Sequence, residues 1–331
     1  MWTYRVLVSA ESVPLWRRAS VRGVAYREHL YTRIVASGET DEIEHWLDRE
    51  FEAPAEDAIQ RATTGRRLRS EDWRRLIRFF AAQDVRTPAR LLENLERWHQ
   101  TMPATIRETL EDTIGGLERA HGPAIASEMA PAPALGDPLP LRITIERAAG
   151  QTGGVVSAEM VAGRGLWLWS IRQLLTSAIR ELHRHQWTIL APPDGTEWIT
   201  SDDPVLRVNF NSLSDYTFTG GWGSPGTDLI LPLGPRHLLY TQVSRPVPTR
   251  GTSMPPDKAA VIQQLTAAHA HRLIFASTPD PSVAQLRPRI VDPGLIRSDA
   301  AQWARWHNEQ TLAERELLAG QIGEPRPPMT G

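Results

Sequence analysis

The sequence predicts an α+β fold, with a helical N-terminal half packed on a mainly antiparallel sheet built from the C-terminal half. Three observations carry this. Apolar residues recur at three- and four-residue steps through most of 41–121, the period of a half-buried helix. Runs rich in β-branched and aromatic residues crowd into 187–277. Short turns, Pro192-Pro193-Asp194-Gly195 and Gly234-Pro235, separate those runs, as antiparallel neighbours require. The 331 residues are expected to form a single domain over 1–319, with a surface loop at 123–140 and a flexible tail at 320–331.

The elements follow in order. Trp2 to Val8 alternates as a strand, and Ser20 to Tyr31 reads as a further extended pair. Asp41 can cap a helix whose inner stripe is Ile43, Leu47, Phe51, Ala55, Ala58, Ile59 and Ala62, with a kink expected at Pro54. Ser70 opens a second helix carrying Trp73, Leu76, Ile77 and Phe80 inward, and Gln83 lies on that same side. Pro88 disfavours helical angles at Thr87, so Thr87 should cap a third helix with Pro88 at its first position. That helix should continue to 121 with a break near Met102-Pro103. A long helix is expected over Ser157–His185.

Trp187 to Pro204 then reads as a hairpin: Trp-Thr-Ile-Leu, the Pro-Pro-Asp-Gly turn, and Glu-Trp-Ile-Thr. The second strand delivers Ser201, Asp202 and Asp203 to its end, where Pro204 stops the ladder. Val205–Phe210 extends the sheet, 211–226 is a polar, glycine-rich loop, and Asp228–Leu233 with His237–Val243 forms another hairpin. A helix over Pro256–Ala270, a strand over Arg272–Ser277 and a last helix over Ser298–Leu318, burying Trp303 and Trp306, complete the chain.

Composition removes several chemistries. There is no cysteine, hence no disulfide, thiol nucleophile or cysteine zinc site, and cytoplasm is the economical expectation. No run of 18 apolar residues exists to span a membrane. Among 37 Lys plus Arg, Lys258 is the single lysine, and Ala259 follows it, so no phosphate-binding P-loop can be written. A net charge of -2 gives no general attraction for nucleic acid, and Arg66, Arg67, Arg69, Arg74, Arg75 and Arg78 read as a solvated helix face diluted by Glu71 and Asp72. Gly221-Trp222-Gly223-Ser224-Pro225-Gly226 matches a dinucleotide fingerprint only on paper, because a strand follows it where a helix is needed. The His183/His185 and His269/His271 pairs lack the four-residue spacing of helical metal ligands.

The remaining candidates are polar groups at element ends. Asp202 and Asp203 could hold a divalent ion through oxygen or supply a base oriented by Ser201, and Ser-Asp-Asp-Pro is equally good turn chemistry. Glu44 and Glu50 border an apolar helix stripe, and Gln83 with Arg86 projects from a helix junction towards the core. Both sets can also serve as solvated or cap-satisfying groups.

Four segments in this order, RRLIRFFAAQDVRTPAR, WTILAPPDGTEWITSDDPV, DLILPLGPRHLLY and AAHAHRLIFAS, resemble the bacterial and fungal family known as domain of unknown function 4238. The resemblance runs from about Trp2 to Ser277 and is most specific at Gln83–Pro88 and Thr200–Pro204, with Ile43-Glu44 and Glu50 similar to the family's acidic helix. It brings no reaction with it. Such proteins usually open with a His-Tyr-x-Pro segment, and this chain opens at the Trp2-x-Tyr4 strand just after it, so the resemblance implies a missing head. Thr266-Ala267-Ala268 stands where the family pattern often shows Asn. These residues frame two expectations. One is a hydrolase-like enzyme acting on a phosphodiester, with Asp202 and Glu44 or Glu50 on Mg²⁺ or Mn²⁺, Arg86 stabilising developing negative charge and Gln83 orienting substrate. The other is a non-catalytic binding or scaffold protein, in which the polar groups form a buried network and the 211–226 loop meets a partner.

Overall fold

The computed structural model describes residues 1–20, 30–35, 38–121, 141–146 and 155–322. The extended pair expected within 20–31 and the 123–140 loop fall largely or wholly outside those residues, and the last helix continues to Ile322, three residues into the expected tail. The chain is α+β. In chain order the elements are β1 (Trp2–Arg5), β2 (Leu7–Val8), β3 (Trp16–Arg18), β4 (Arg33–Val35), β5 (Gly38–Thr40), α1 (Glu42–Leu47), α2 (Ala53–Thr63), α3 (Ser70–Val85) and α4 (Pro88–His121). There follow β6 (Leu141–Glu146), β7 (Val155–Met160), α5 (Arg164–Gln173), α6 (Ile179–Leu182), β8 (Thr188–Leu190), β9 (Thr200–Ser201), β10 (Leu206–Phe210), β11 (Tyr216–Thr217), β12 (Thr227–Gly234) and β13 (His237–Gln242). The last are α7 (Pro256–His269), β14 (Leu273–Ala276), α8 (Val283–Leu286), β15 (Ile290–Val291) and α9 (Pro293–Ile322).

The residues divide into two compact units: 1–30, 42–90 and 171–305 form one, and 31–41, 91–170 and 306–331 the other. The first holds two antiparallel sheets, ordered β3-β1-β14-β9 and β11-β10-β12-β13-β8. α7 serves both cores. Its Ala259, Ile262 and Leu265 pack with Leu206, Val208, Ile230 and Leu238 of the five-stranded sheet, while Ala267 packs with Tyr4, Ile199 and Ile274 of the four-stranded one. The β12–β13 hairpin forms as the Gly-Pro turn predicts, closing at Gly234 opposite His237.

Trp187–Pro204 is not a hairpin. β8 pairs with β13 in one sheet and β9 with β14 in the other, so this stretch bridges the two sheets. The turn itself is real: Gly195 has φ +76°, which a glycine adopts without strain, and the Thr196 amide donates to the Pro193 carbonyl at 3.1 Å. Turn chemistry specifies the reversal, whereas the choice of ladder partner depends on distant strands.

The helices follow their stripes. Ile43, Leu47, Phe51, Ala55, Ala58 and Ala62 are all buried, with a π-helical turn at Asp48–Glu52 in place of a kink at Pro54. Arg69 caps α3 one residue before Ser70, and its amide donates to the Asp72 carboxylate at 2.8 Å. α4 runs unbroken through Pro103. The expected helix over Ser157–His185 starts later, because Val155–Met160 is a strand paired with Leu141–Glu146, and it passes a π-helical turn at Leu174–Ala178. Trp303 and Trp306 on α9 are half-buried, not core.

In the second unit Arg164 is fully buried at the start of α5. Its guanidinium lies 2.9 Å from Glu314 Oε2, 3.2 Å from Thr311 Oγ1 and 2.7 Å from His307 Nδ1, all on α9. A buried cation needs such company, and this set ties the two helices at one point.

Candidate functional site

The two most distinctive segments, Gln83–Pro88 and Thr200–Pro204, meet in the first unit through residues other than the expected ones. α3 ends at Val85 and α4 starts at Pro88, so Thr87 caps α4: its Oγ1 accepts the Arg90 amide at 3.3 Å, as the Thr-Pro pattern predicts. The same hydroxyl donates to Asp203 Oδ1 at 2.9 Å. Arg90, buried one turn into α4, reaches Asp84 Oδ1 at 3.3 Å, the Val205 carbonyl at 3.3 Å and Asp203 Oδ1 at 3.9 Å. Asp84 also faces Arg207 of β10 at 3.6 Å, and its other oxygen accepts the Trp222 indole N–H at 2.7 Å. The side chains of Asp84 and Asp203 are 1% and 4% exposed, so charges that would be costly alone are held by paired opposites.

Asp202 is turned to different partners. Its carboxylate accepts the His271 amide at 2.9 Å and the Arg272 amide at 2.9 Å, clasping the turn that leads from α7 into β14. Burial pushes this carboxyl up to about 6, against the pull of the backbone donors at 273, 272 and 271, and Asp203 adds to the rise. Ser201 Oγ donates to the Asp203 carbonyl at 2.8 Å and accepts the Asp203 amide at 3.2 Å, closing a local turn rather than orienting a carboxylate.

The helical candidates lie elsewhere in the pattern of contacts. Glu44 is exposed on α1. Glu50 pairs with Arg49 at 3.1 Å and with Arg78 at 3.6 Å, and Arg86 pairs with Glu52. Gln83 is half-buried. The contacts of Glu50 with Arg49 and Arg78, and of Arg86 with Glu52, lead away from Asp202, and no three His, Asp or Glu groups gather among the described residues that could hold a metal ion.

The 211–226 loop is tethered through Trp222, whose indole meets Asp84 and whose carbonyl accepts His185 Nε2–H at 2.6 Å. One of its aromatic residues faces outward: Phe218 is 43% exposed, packs edge-to-face on half-buried Tyr216 at 5.8 Å and lies 4.4 Å from the His269 ring. A second polar cluster, absent from the sequence expectations, sits where α7 crosses β12 and β13. There Lys258 Nζ lies 3.1 Å from Asp228 Oδ2 and 3.2 Å from the Tyr240 hydroxyl, which donates to the other Asp228 oxygen. Burial and then the Asp228 charge push the Tyr240 phenol well above its ordinary value.

Residues 4–280 match the model of a family described as a protein of unknown function, DUF4238. The chain belongs to that family. No curated protein and no solved structure gives a match. For this DUF4238 chain, the Gln83–Pro88 and Thr200–Pro204 segments that carried the resemblance are the two that Asp84, Thr87, Arg90 and Asp203 join. Asp84 had a sequence signal, since it lies four and eight residues beyond the buried Phe80 and Leu76 on the same helix face. No helix among the described residues is long and apolar enough to cross a membrane.

Proposed function

We propose that this protein is a non-catalytic binding protein, in which the buried arginine–carboxylate network fixes the 211–226 loop for a partner. The observation that carries this is the 2.7 Å bond from the Trp222 indole to Asp84, whose other oxygen faces Arg90 and Arg207. The best-placed carboxylate of the motif is thus occupied on both sides by the protein itself. The loop it holds presents Phe218, braced by half-buried Tyr216, and an exposed aromatic on an anchored segment is suited to be a contact anchor. A cysteine-free chain suits the cytoplasm. The test places a photoreactive p-benzoylphenylalanine at Phe218, with the same probe at exposed Arg107 as control. The expected result, in the host cell, is a discrete adduct at position 218 that Tyr216→Ser removes. Equal labelling at both positions overturns the reading.

The hydrolase-like alternative, acting on a phosphodiester with Mg²⁺ or Mn²⁺, rests on one specific observation. The Asp202 carboxyl, pushed up to about 6, is matched to acid–base work near neutral pH. Bis(p-nitrophenyl) phosphate with either ion tests it. Turnover that Asp202→Asn abolishes at unchanged Tm would displace the binding reading, and no turnover retires the alternative.

A further inference from the structure

Of the arginine-rich face expected over Arg66–Arg78, the part on α3 is neutralised. Arg74 and Arg75 pair with Glu71 at 3.0 and 3.4 Å, Arg78 with Glu50 at 3.6 Å, and Arg61 with Asp72 at 3.8 Å. The free positive charge is next to it, gathered from three turns that the sequence keeps far apart. Arg66 and Arg67 follow α2, Arg236 lies in the β12–β13 turn, and Arg250 lies in the turn before α7; all four are exposed. Hydrogen bonds join the Arg250 turn to the end of α2, and the β12–β13 turn lies against the same helix end, where a Cβ on Gly234 would come within 3.8 Å of the Thr63 methyl. Arg250 donates to the Arg66 carbonyl at 2.7 Å and the Ala62 carbonyl at 3.0 Å, closing the end of α2, and Arg236 donates to the Thr196 carbonyl at 3.1 Å. No ion pair among the described residues includes Arg66, Arg67, Arg236 or Arg250. Asp194, in the turn that Thr196 closes, is a nearby carboxylate in sequence and pairs with none of them.

A neighbouring group reports the resulting field. His237, at the start of β13, is held below its ordinary range first by burial and then by the charges of Arg250 and Arg236. Arg250 and Arg236 therefore both lie near His237.

We infer that the turns carrying Arg66, Arg67, Arg236 and Arg250 form a docking surface for the phosphodiester backbone of a nucleic acid. Guanidinium forks match phosphate oxygens in pairs, and exposed arginines held by backbone carbonyls are partly ordered before the ligand arrives. Three separate turns carry the charges, which suits a row of phosphates better than one small anion. No aromatic residue stands among them to stack on a base, so the contact reads backbone charge and not sequence. A net charge of -2 does not oppose this, because screening confines each charge to a range of about 8–10 Å at ordinary salt. The surface is separate from the 211–226 loop, so the two ideas stand or fall apart.

The experiment is fluorescence anisotropy of the full chain with a fluorescein-labelled oligonucleotide of about 20 nucleotides, single-stranded and duplex, over a salt series from about 50 to 200 mM. The expected result is binding that weakens linearly with the logarithm of salt. The triple variant Arg66→Gln/Arg67→Gln/Arg236→Gln should weaken it about tenfold or more and lower the salt slope by about 2. Arg74→Gln/Arg75→Gln should stay within about twofold, since those guanidinium groups already face Glu71. If the triple variant melts early, Arg66→Gln/Arg67→Gln takes its place, because those two side chains make no hydrogen bond among the described residues. Absence of oligonucleotide binding, equal loss in both variant sets, or binding of tripolyphosphate in place of the oligonucleotide overturns the inference.

Discussion

Asp202 and Asp203 are neighbours in the chain with opposite surroundings, because successive side chains of an extended segment point to opposite sides. Asp203 shares its side with buried Ser201 and meets Thr87 and Arg90. Asp202 points the other way, to the amides of His271 and Arg272. Its proton affinity makes a test at the scale of one residue. The folded value, raised from 3.8 to about 6, means that the native state holds the proton more tightly than the unfolded chain. The stability this contributes is complete below about pH 4 and is lost as pH rises through about 6. Asparagine cannot ionise and loses nothing over that rise. The Tm of Asp202→Asn minus that of the wild type should therefore increase between about pH 4 and pH 6 and level off above that. A difference that stays flat would show that this carboxyl titrates as an exposed one does.

At the scale of elements, the network joins pieces that local sequence could not pair. The segments themselves were legible: Thr87-Pro88 announces a cap and a helix start, and Asp203-Pro204 announces a strand end. Their inner residues were legible only in part. Gln83 lies beside the core stripe and Asp84 on it, a difference of one step of 100° that fixes which carboxyl or amide enters the core. Arg90 and Trp222 were out of reach, since their partners come from α3, from the end of β9 and from a loop more than a hundred residues away. The β6–β7 ladder was missed for a related reason: Val-Val-Ser-Ala-Glu-Met runs straight towards a strong helix, and only its pairing with Leu141–Glu146 identifies it as a strand. The Trp222 tether yields the prediction at this scale. Trp222→Phe keeps the apolar ring and removes the donor to Asp84, so stability should fall by about 1–3 kcal/mol. Hydrogen exchange across 211–226 should quicken while the β12–β13 ladder keeps its protection. Unchanged exchange in the loop would mean that the indole bond does not hold it.

At the largest scale, the first unit is organised by a helix between two sheets. α7 is buried on more than one side and keeps an exposed strip at Asp257, Ala260, Gln264 and Ala268. Ile262 is fully buried against the five-stranded sheet, and Ala267, further along, packs with the four-stranded one. Trp187–Pro204 adds a covalent bridge, with β8 in one sheet and β9 in the other. Loss of α7 therefore removes the cover of both sheets at once, and they should unfold together. Ile262→Ala deletes a buried branched side chain and should cost about 2–5 kcal/mol. If α7 couples the sheets, amides of β12 and of β14 should lose protection by the same amount, although Ile262 belongs to the core of only one of them. Loss confined to β10, β12 and β13, with β1 and β14 exchanging as before, would show that the four-stranded sheet keeps its own stability and that α7 merely lies between two independent cores.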